Sequence, residues 1–76
     1  MSFVLRLVGT GNPMPFVHFR ERMAAAQAAE AAVRSSEVNR AEVYSVAQET
    51  VARAIDAVIR GEGELVEVRY GRRSPS

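Results

Sequence analysis

The chain of 76 residues contains no cysteine, no tryptophan and a single histidine. The absence of cysteine excludes disulfide bonds and thiolate metal sites, and a single histidine excludes a multi-histidine site. Domains of this size bury only about 60% of the surface that the unfolded chain exposes, and they usually need a disulfide, a metal or a partner as well. We therefore expect no cofactor, and association with another chain is the stabilising route that the composition leaves.

Net charge and long hydrophobic runs are also scarce. Ten basic and nine acidic residues give a formal net charge of +1, and all ten basic residues are arginine. A strongly electrostatic nucleic-acid binder is normally more basic. No apolar run approaches the roughly 18 residues of a membrane span, and the N-terminus lacks the pattern of a signal peptide. We therefore predict a soluble protein of the cytoplasm, or of a virion if the source is a virus.

Alternating apolar residues predict two strands near the ends of the chain. Residues 2–8 alternate, with Phe3, Leu5 and Leu7 on one side, and residues 64–70 (ELVEVRY) alternate again. The second segment carries three charges, which suits an edge strand. We expect the two strands to be neighbours in a small antiparallel sheet.

Residues 15–19 (PFVHF) can be interpreted in two ways. As a strand, they would return antiparallel to the first strand. As the start of a helix, they would follow an N-cap at Asn12, with Pro13 and Pro15 in the first turn, where proline is tolerated. We favour the strand, and the sheet then has three strands instead of two.

Two helices are predicted between these strands, over residues 20–35 and 40–60. One continuous helix would place Val38 in the polar stripe of the second segment, so the chain is expected to break there. Asn39 as the N-cap and Glu42 three residues later match a capping box, which marks a helix start. The two helices would form an antiparallel hairpin.

These segments predict an α+β fold. A single domain over residues 1–70 would consist of a small antiparallel sheet of two or three strands, covered on one face by the helical hairpin. Residues 71–76 (GRRSPS) would be a polar, basic C-terminal tail.

The second predicted helix has an apolar arc of roughly 220–240°, much wider than the stripe of about 100° on a simple surface helix. Such a helix must be covered on more than one side, which indicates a homodimer or a place in a larger complex. The candidate interface residues are Val43, Tyr44, Val46, Val51, Ile55 and Ile59.

The arginine-rich C-terminus is a second candidate for partner binding. Three cations and one aromatic ring suit phosphates and bases, or an acidic protein surface; the residues are Arg69, Tyr70, Arg72 and Arg73. His18 is the single histidine of the chain, and the sequence offers no partner for it in catalysis.

The function expected from the sequence is therefore a non-enzymatic protein–protein interaction or assembly module. A structural or accessory component of a virus or phage is one example. The alternative is a small nucleic-acid-binding regulator that uses the C-terminal arginines.

Overall fold

The computed structural model describes residues 1–9, 16–35 and 38–71. In chain order, the elements are β1 (Ser2–Gly9), β2 (Phe16–Phe19), α1 (Arg22–Ala32), β3 (Val38–Val46), α2 (Val51–Ile59) and β4 (Glu64–Tyr70). The strands form one antiparallel sheet in the order β2-β1-β3-β4. The predicted α+β class and antiparallel sheet are confirmed, and the favoured strand at 15–19 is observed as β2, paired with β1 as expected.

The two helices lie on opposite faces of the sheet. Directly opposed residues of neighbouring strands share a face. Leu5 in β1 therefore lies on the same side as Val43 in β3, and α1 covers this side, which we call face A. Val4 and Tyr44 lie on the other side, face B, where α2 packs. The core is thus divided into two thin layers, one on each face.

The helix α1 approaches the sheet through small side chains. Ala25 and Ala29, four residues apart, are completely buried and belong to one apolar cluster with Leu5 and Val43. Alanine favours the helical backbone and brings the helix close to the strands, but each alanine removes little apolar surface from water. This layer is therefore tightly spaced and only modestly stabilising.

Replacing Ala25 by leucine is expected to lower the free energy of unfolding by about 1–3 kcal/mol, because added methylene groups in a packed layer force the helix away from the sheet. Ala24 precedes it in the same helix and is exposed. Ala24→Leu should change the free energy by no more than about 0.5 kcal/mol. Urea denaturation of both variants measures the difference, and equal stabilities would contradict the described position of α1.

The predicted helix over residues 40–60 is wrong in its first half. Val38–Val46 is the central strand β3, and helix begins only at Val51. On a helical wheel Glu42 and Ser45 share a polar stripe, whereas in a strand they point to opposite faces. The segment is a strand because its backbone pairs with β1 on one side and with β4 on the other. Its valines and tyrosine are residue types that favour buried positions in a sheet.

Four further details of the predicted architecture are wrong for the same reason. Asn39 is not a helix N-cap but a strand residue, whose carbonyl accepts a hydrogen bond from the Gly71 N–H at 2.8 Å. The helices do not form a hairpin, because β3 separates them. β1 and β4 are not neighbours, because β3 lies between them, and the sheet has four strands instead of two or three. Residues 72–76 of the predicted tail lie outside the described part of the chain.

Candidate protein interface

The outer side of β4 is an open sheet edge within the described residues, because this strand pairs only with β3. Alternate residues of an antiparallel strand direct their N–H and C=O groups to the same neighbour. The Gly71 N–H donates to Asn39, so Arg69 and Glu67, two and four positions before it, also direct their backbone groups to β3. The backbone N–H and C=O groups of Val68 and Tyr70 therefore face outward. Outward-facing groups of this kind can template a further strand.

A β-bulge changes the side-chain pattern of β4. Val43 is opposite Glu67, but the next residue, Tyr44, is opposite Leu65. Val66 is therefore the extra residue of the bulge, and it packs into the cluster on face A. Because Leu65 is opposite Tyr44, its side chain lies on face B.

The bulge creates an apolar strip on face B, formed by Leu65, Val68 and Tyr70. In the described structure α2 contacts β1, β2 and β3 but not β4, so no helix covers the strip. Leu65 is 48% exposed and Tyr70 is 68% exposed, and Val68 is half-buried. An exposed apolar strip beside an unpaired edge is a typical feature of a protein interface.

Charged side chains occupy face A of the same strand. The Arg22 Nε atom of α1 donates a hydrogen bond to Glu67 Oε2 at 3.0 Å, and Arg69 Nη1 donates to Glu67 Oε1 at 3.0 Å. These hydrogen bonds, from Arg22 first and then from Arg69, hold the pKa of Glu67 below its usual value. The carboxylate therefore stays ionised, with a cation on either side. β4 thus presents charges on one face and an apolar strip on the other.

A second polar cluster lies on face B of the central strands. Glu42 is only 7% exposed, and three side chains surround its carboxylate. Tyr44 Oη donates to Glu42 Oε1 at 2.7 Å, and Arg6 Nη1 donates to the same oxygen at 3.4 Å. Arg40 Nε lies 2.8 Å from Glu42 Oε2 as an ion pair, at an angle outside hydrogen-bond geometry.

This Glu42 cluster is better suited to holding the fold together than to catalysis. Burial raises the pKa of the Tyr44 hydroxyl, and its hydrogen bond to Glu42 raises it further, so Tyr44 is a proton donor. Both oxygens of Glu42 are occupied by donors or a cation, and a general base needs a free one. The cluster links β1 to β3, and it places two cations beside a carboxylate that would otherwise be buried without a counter-charge.

The structure divides the predicted interface residues into two groups. Val43 and Val46 are core residues, and Tyr44 is half-buried in the Glu42 cluster. In this fold none of these three can present its side chain fully to a partner. The other three lie on α2, where Val51 and Ile59 are exposed and Ile55 packs partly against the core. They are four residues apart and form a short stripe, which we call the α2 stripe.

The predicted arginine cluster is not gathered on one surface. Arg69 lies on face A in contact with Glu67, whereas Tyr70 is on face B, because neighbouring strand residues alternate. Arg72 and Arg73 lie outside the described residues. His18 is in β2, and its Nε2 atom is buried without a hydrogen-bond partner among the described residues.

The apolar strip is a feature that sequence reasoning missed. Strict alternation of ELVEVRY puts Leu65 with Glu67, on the side opposite Val68 and Tyr70. Val68 and Tyr70 are two residues apart, and this spacing alone indicates that they share one face of a strand. The bulge places Leu65 on the same face, but it depends on pairing with β3, and no residue type in the sequence indicates it.

The fold and the site define a small α+β protein with a helix on each face of a four-stranded sheet and an apolar strip beside the open edge of β4. Comparison with models of known protein families, with curated proteins and with solved structures gives no match to this chain. Among the described residues, no group of three or more acidic, cysteine or histidine side chains is placed to hold a metal ion. No described helix is both long and apolar enough to cross a membrane.

Proposed function

We propose that the protein is a non-enzymatic assembly module that associates with a second copy of itself through β4. The proposal rests on one observation, which is that β4 combines an open edge with an uncovered apolar strip. Backbone groups of the edge supply directional hydrogen bonds, and Leu65, Val68 and Tyr70 supply apolar surface for burial.

The composition of the core supports association. Ten apolar residues are buried in the described structure, and five of them are alanine. Alanine and valine remove less apolar surface from water than leucine, isoleucine or phenylalanine, and the chain has no disulfide to compensate. Burying the strip against a second copy would add apolar contacts that this small core lacks.

The shape of the sheet supports a closed pair over an open-ended polymer. The edge opposite β4 is β2, which has only four residues. Very short edge strands are one of the devices by which proteins prevent further pairing. If β4 joins β4 of another copy, both long edges are used and only short edges remain. A closed, two-fold dimer satisfies this arrangement.

The α2 stripe is the competing surface for self-association. Val51 and Ile59 are about as exposed as Leu65 and Tyr70, but along a helix the backbone groups pair within the helix and offer no edge to a partner strand. The alternative of nucleic-acid binding stays a prediction from the sequence. The contact between Arg69 and Glu67 does not add to it, because a neighbouring carboxylate offsets the charge that a phosphate would need.

The proposed function is tested by sedimentation equilibrium of the full chain over a wide concentration range. We expect the wild type to be a dimer. Leu65→Lys combined with Tyr70→Lys should raise the dissociation constant about a hundredfold, since each change replaces an apolar contact by a charge. The matched control is Val51→Lys combined with Ile59→Lys, which alters two residues of similar exposure on α2 and should leave the dimer intact.

Circular dichroism establishes that both double variants remain folded. A wild type that stays monomeric at the highest concentration reached would refute self-association. A dimer that the α2 variant dissociates and the β4 variant does not would assign the interface to the α2 stripe and overturn the role of β4.

A further inference from the structure

The directions of the backbone groups restrict how two copies of β4 can pair. Between the bulge and Gly71, only Val68 and Tyr70 have N–H and C=O groups that the hydrogen-bond pattern with β3 directs to the open edge. In an antiparallel pair of identical strands, outward-facing residues must therefore oppose outward-facing residues. Three registers satisfy this condition: Val68 opposite Val68, Val68 opposite Tyr70, or Tyr70 opposite Tyr70.

The charges on face A separate these registers. With Val68 opposite Val68 of the other copy, Glu67 of each chain is directly opposite Arg69 of the other, and the dimer contains two such pairs. With Val68 opposite Tyr70, Arg69 meets Arg69 of the other copy, and like charges directly opposed are destabilising. With Tyr70 opposite Tyr70, the strands overlap only at their ends, and few backbone groups can pair.

We infer that two copies of this chain pair antiparallel through β4 in the register that opposes Val68 to Val68, with Glu67 and Arg69 forming reciprocal ion pairs between the copies. This inference rests on the proposed function and specifies its geometry. The result is a continuous eight-stranded sheet with its two-fold axis at Val68. Val68 of both chains then lies at the axis on face B, with Tyr70 of each chain two positions away.

The geometry of the pairing explains how Arg69 changes partner. In the single chain Arg69 contacts Glu67 two positions away along its own strand, where residues are about 6.6–6.8 Å apart. Positions 67 and 69 do not exchange backbone hydrogen bonds with the second copy, so directly opposed Cα atoms there are only about 4.5 Å apart. Arg69 therefore reaches the opposing Glu67 more directly than its own. Arg22 of α1 stays beside Glu67 in either case.

Charge reversal tests the register. Glu67→Arg gives a chain with two cations on face A of β4, and Arg69→Glu gives a chain with two anions. Each variant alone would oppose like charges at both positions of the homodimer, and we expect its dissociation constant to rise about tenfold or more. An equimolar mixture of the two variants would place cations opposite anions at both positions, so a heterodimer should form with about wild-type affinity.

The mixture separates an interface effect from a folding effect. Glu67→Arg also removes the contact with Arg22 inside the chain, and mixing cannot restore that contact. Recovery of the dimer on mixing must therefore come from the opposed strands. Glu67→Arg combined with Arg69→Glu in one chain should also regain the homodimer. The control variants are Glu49→Arg and Arg53→Glu, at two exposed residues on the α2 side of the molecule. Neither change should alter the dissociation constant of the dimer.

Sedimentation equilibrium of the single variants, the mixture and the double variant decides the outcome. If the wild type is a dimer and the single reversals dimerise equally well, the proposed function stands and the inferred register is wrong. If the single variants dissociate but the mixture does not associate, these charges are not opposed across the interface and the register is likewise overturned. A monomeric wild type refutes both.

Discussion

Replacing Val43 by aspartate is expected to unfold the protein. Val43 is completely buried beneath α1, in the central strand of the sheet. An unpaired carboxylate at this position would cost several kcal/mol, and a domain of this length has a total stability of only about 4–11 kcal/mol. Loss of the far-ultraviolet circular dichroism signal and of cooperative thermal unfolding would report the change.

Val51→Asp is the matched control for Val43→Asp. Val51 is 54% exposed and is the first residue of α2, whose first turn contains no acidic residue. A carboxylate there interacts favourably with the helix dipole, so this variant should be as stable as the wild type or more stable by up to about 1 kcal/mol. The same chemical change is thus expected to have opposite effects at two valines.

Val43→Ala provides a gentler measurement of the same position. It is expected to lower the free energy of unfolding by about 2 kcal/mol, through lost burial and a small cavity. The helix predicted from the sequence would instead place Val43 on a surface that binds a partner. In that case Val43→Ala would weaken association and leave the stability of the single chain unchanged, which would contradict the buried position in β3.

Removing the charge of Glu42 is expected to have the second-largest effect. Glu42→Gln keeps the size of the side chain but leaves Arg6 and Arg40 without their shared counter-charge. Breaking a buried ion pair costs about 3–5 kcal/mol, but the side chains of Arg6 and Arg40 are 34% and 41% exposed, so water compensates in part. We expect a loss of about 1–3 kcal/mol in the free energy of unfolding.

A double-mutant cycle with Tyr44→Phe tests whether the cluster acts as a unit. Tyr44→Phe alone should cost about 1 kcal/mol, because one hydrogen bond to the carboxylate is lost. If the hydroxyl acts through Glu42, the two changes together should cost clearly less than their sum. Glu62→Gln, at an exposed glutamate, is the control and should change stability by no more than about 0.5 kcal/mol. Additive losses measured by urea denaturation would show that Tyr44 and Glu42 do not interact.

Residues 40–46 show why sequence reasoning failed in the middle of the chain. Their apolar residues fit one side of a helical wheel and also fit alternation, so the local pattern is ambiguous. As a helix, this segment could bury only one face. As a central strand, it has both sides paired, to β1 and β4, and helices on both of its faces. These contacts come from residues that lie far away in the sequence.

The candidate interface shows the same division between local and non-local information. The strand at 64–70 and its position at an edge follow from alternation and charge, and the structure gives the same bounds. Glu67 and Arg69 are readable as charges on one side of that strand. The outward direction of the Val68 and Tyr70 backbone groups depends on the register with β3, and the placement of Leu65 beside them depends on the bulge.

The sequence by itself determined the α+β class, the absence of disulfides and the strand near each end, and it favoured a strand over a helix start at residues 15–19. These features follow from composition and from alternation within a few residues, which act locally. Only the tertiary structure decided that residues 38–46 are a strand, that the two helices lie on opposite faces, and that β4 carries an uncovered apolar strip. Each of these depends on which distant segment satisfies the backbone hydrogen bonds of a strand, and side-chain periodicity does not contain that information.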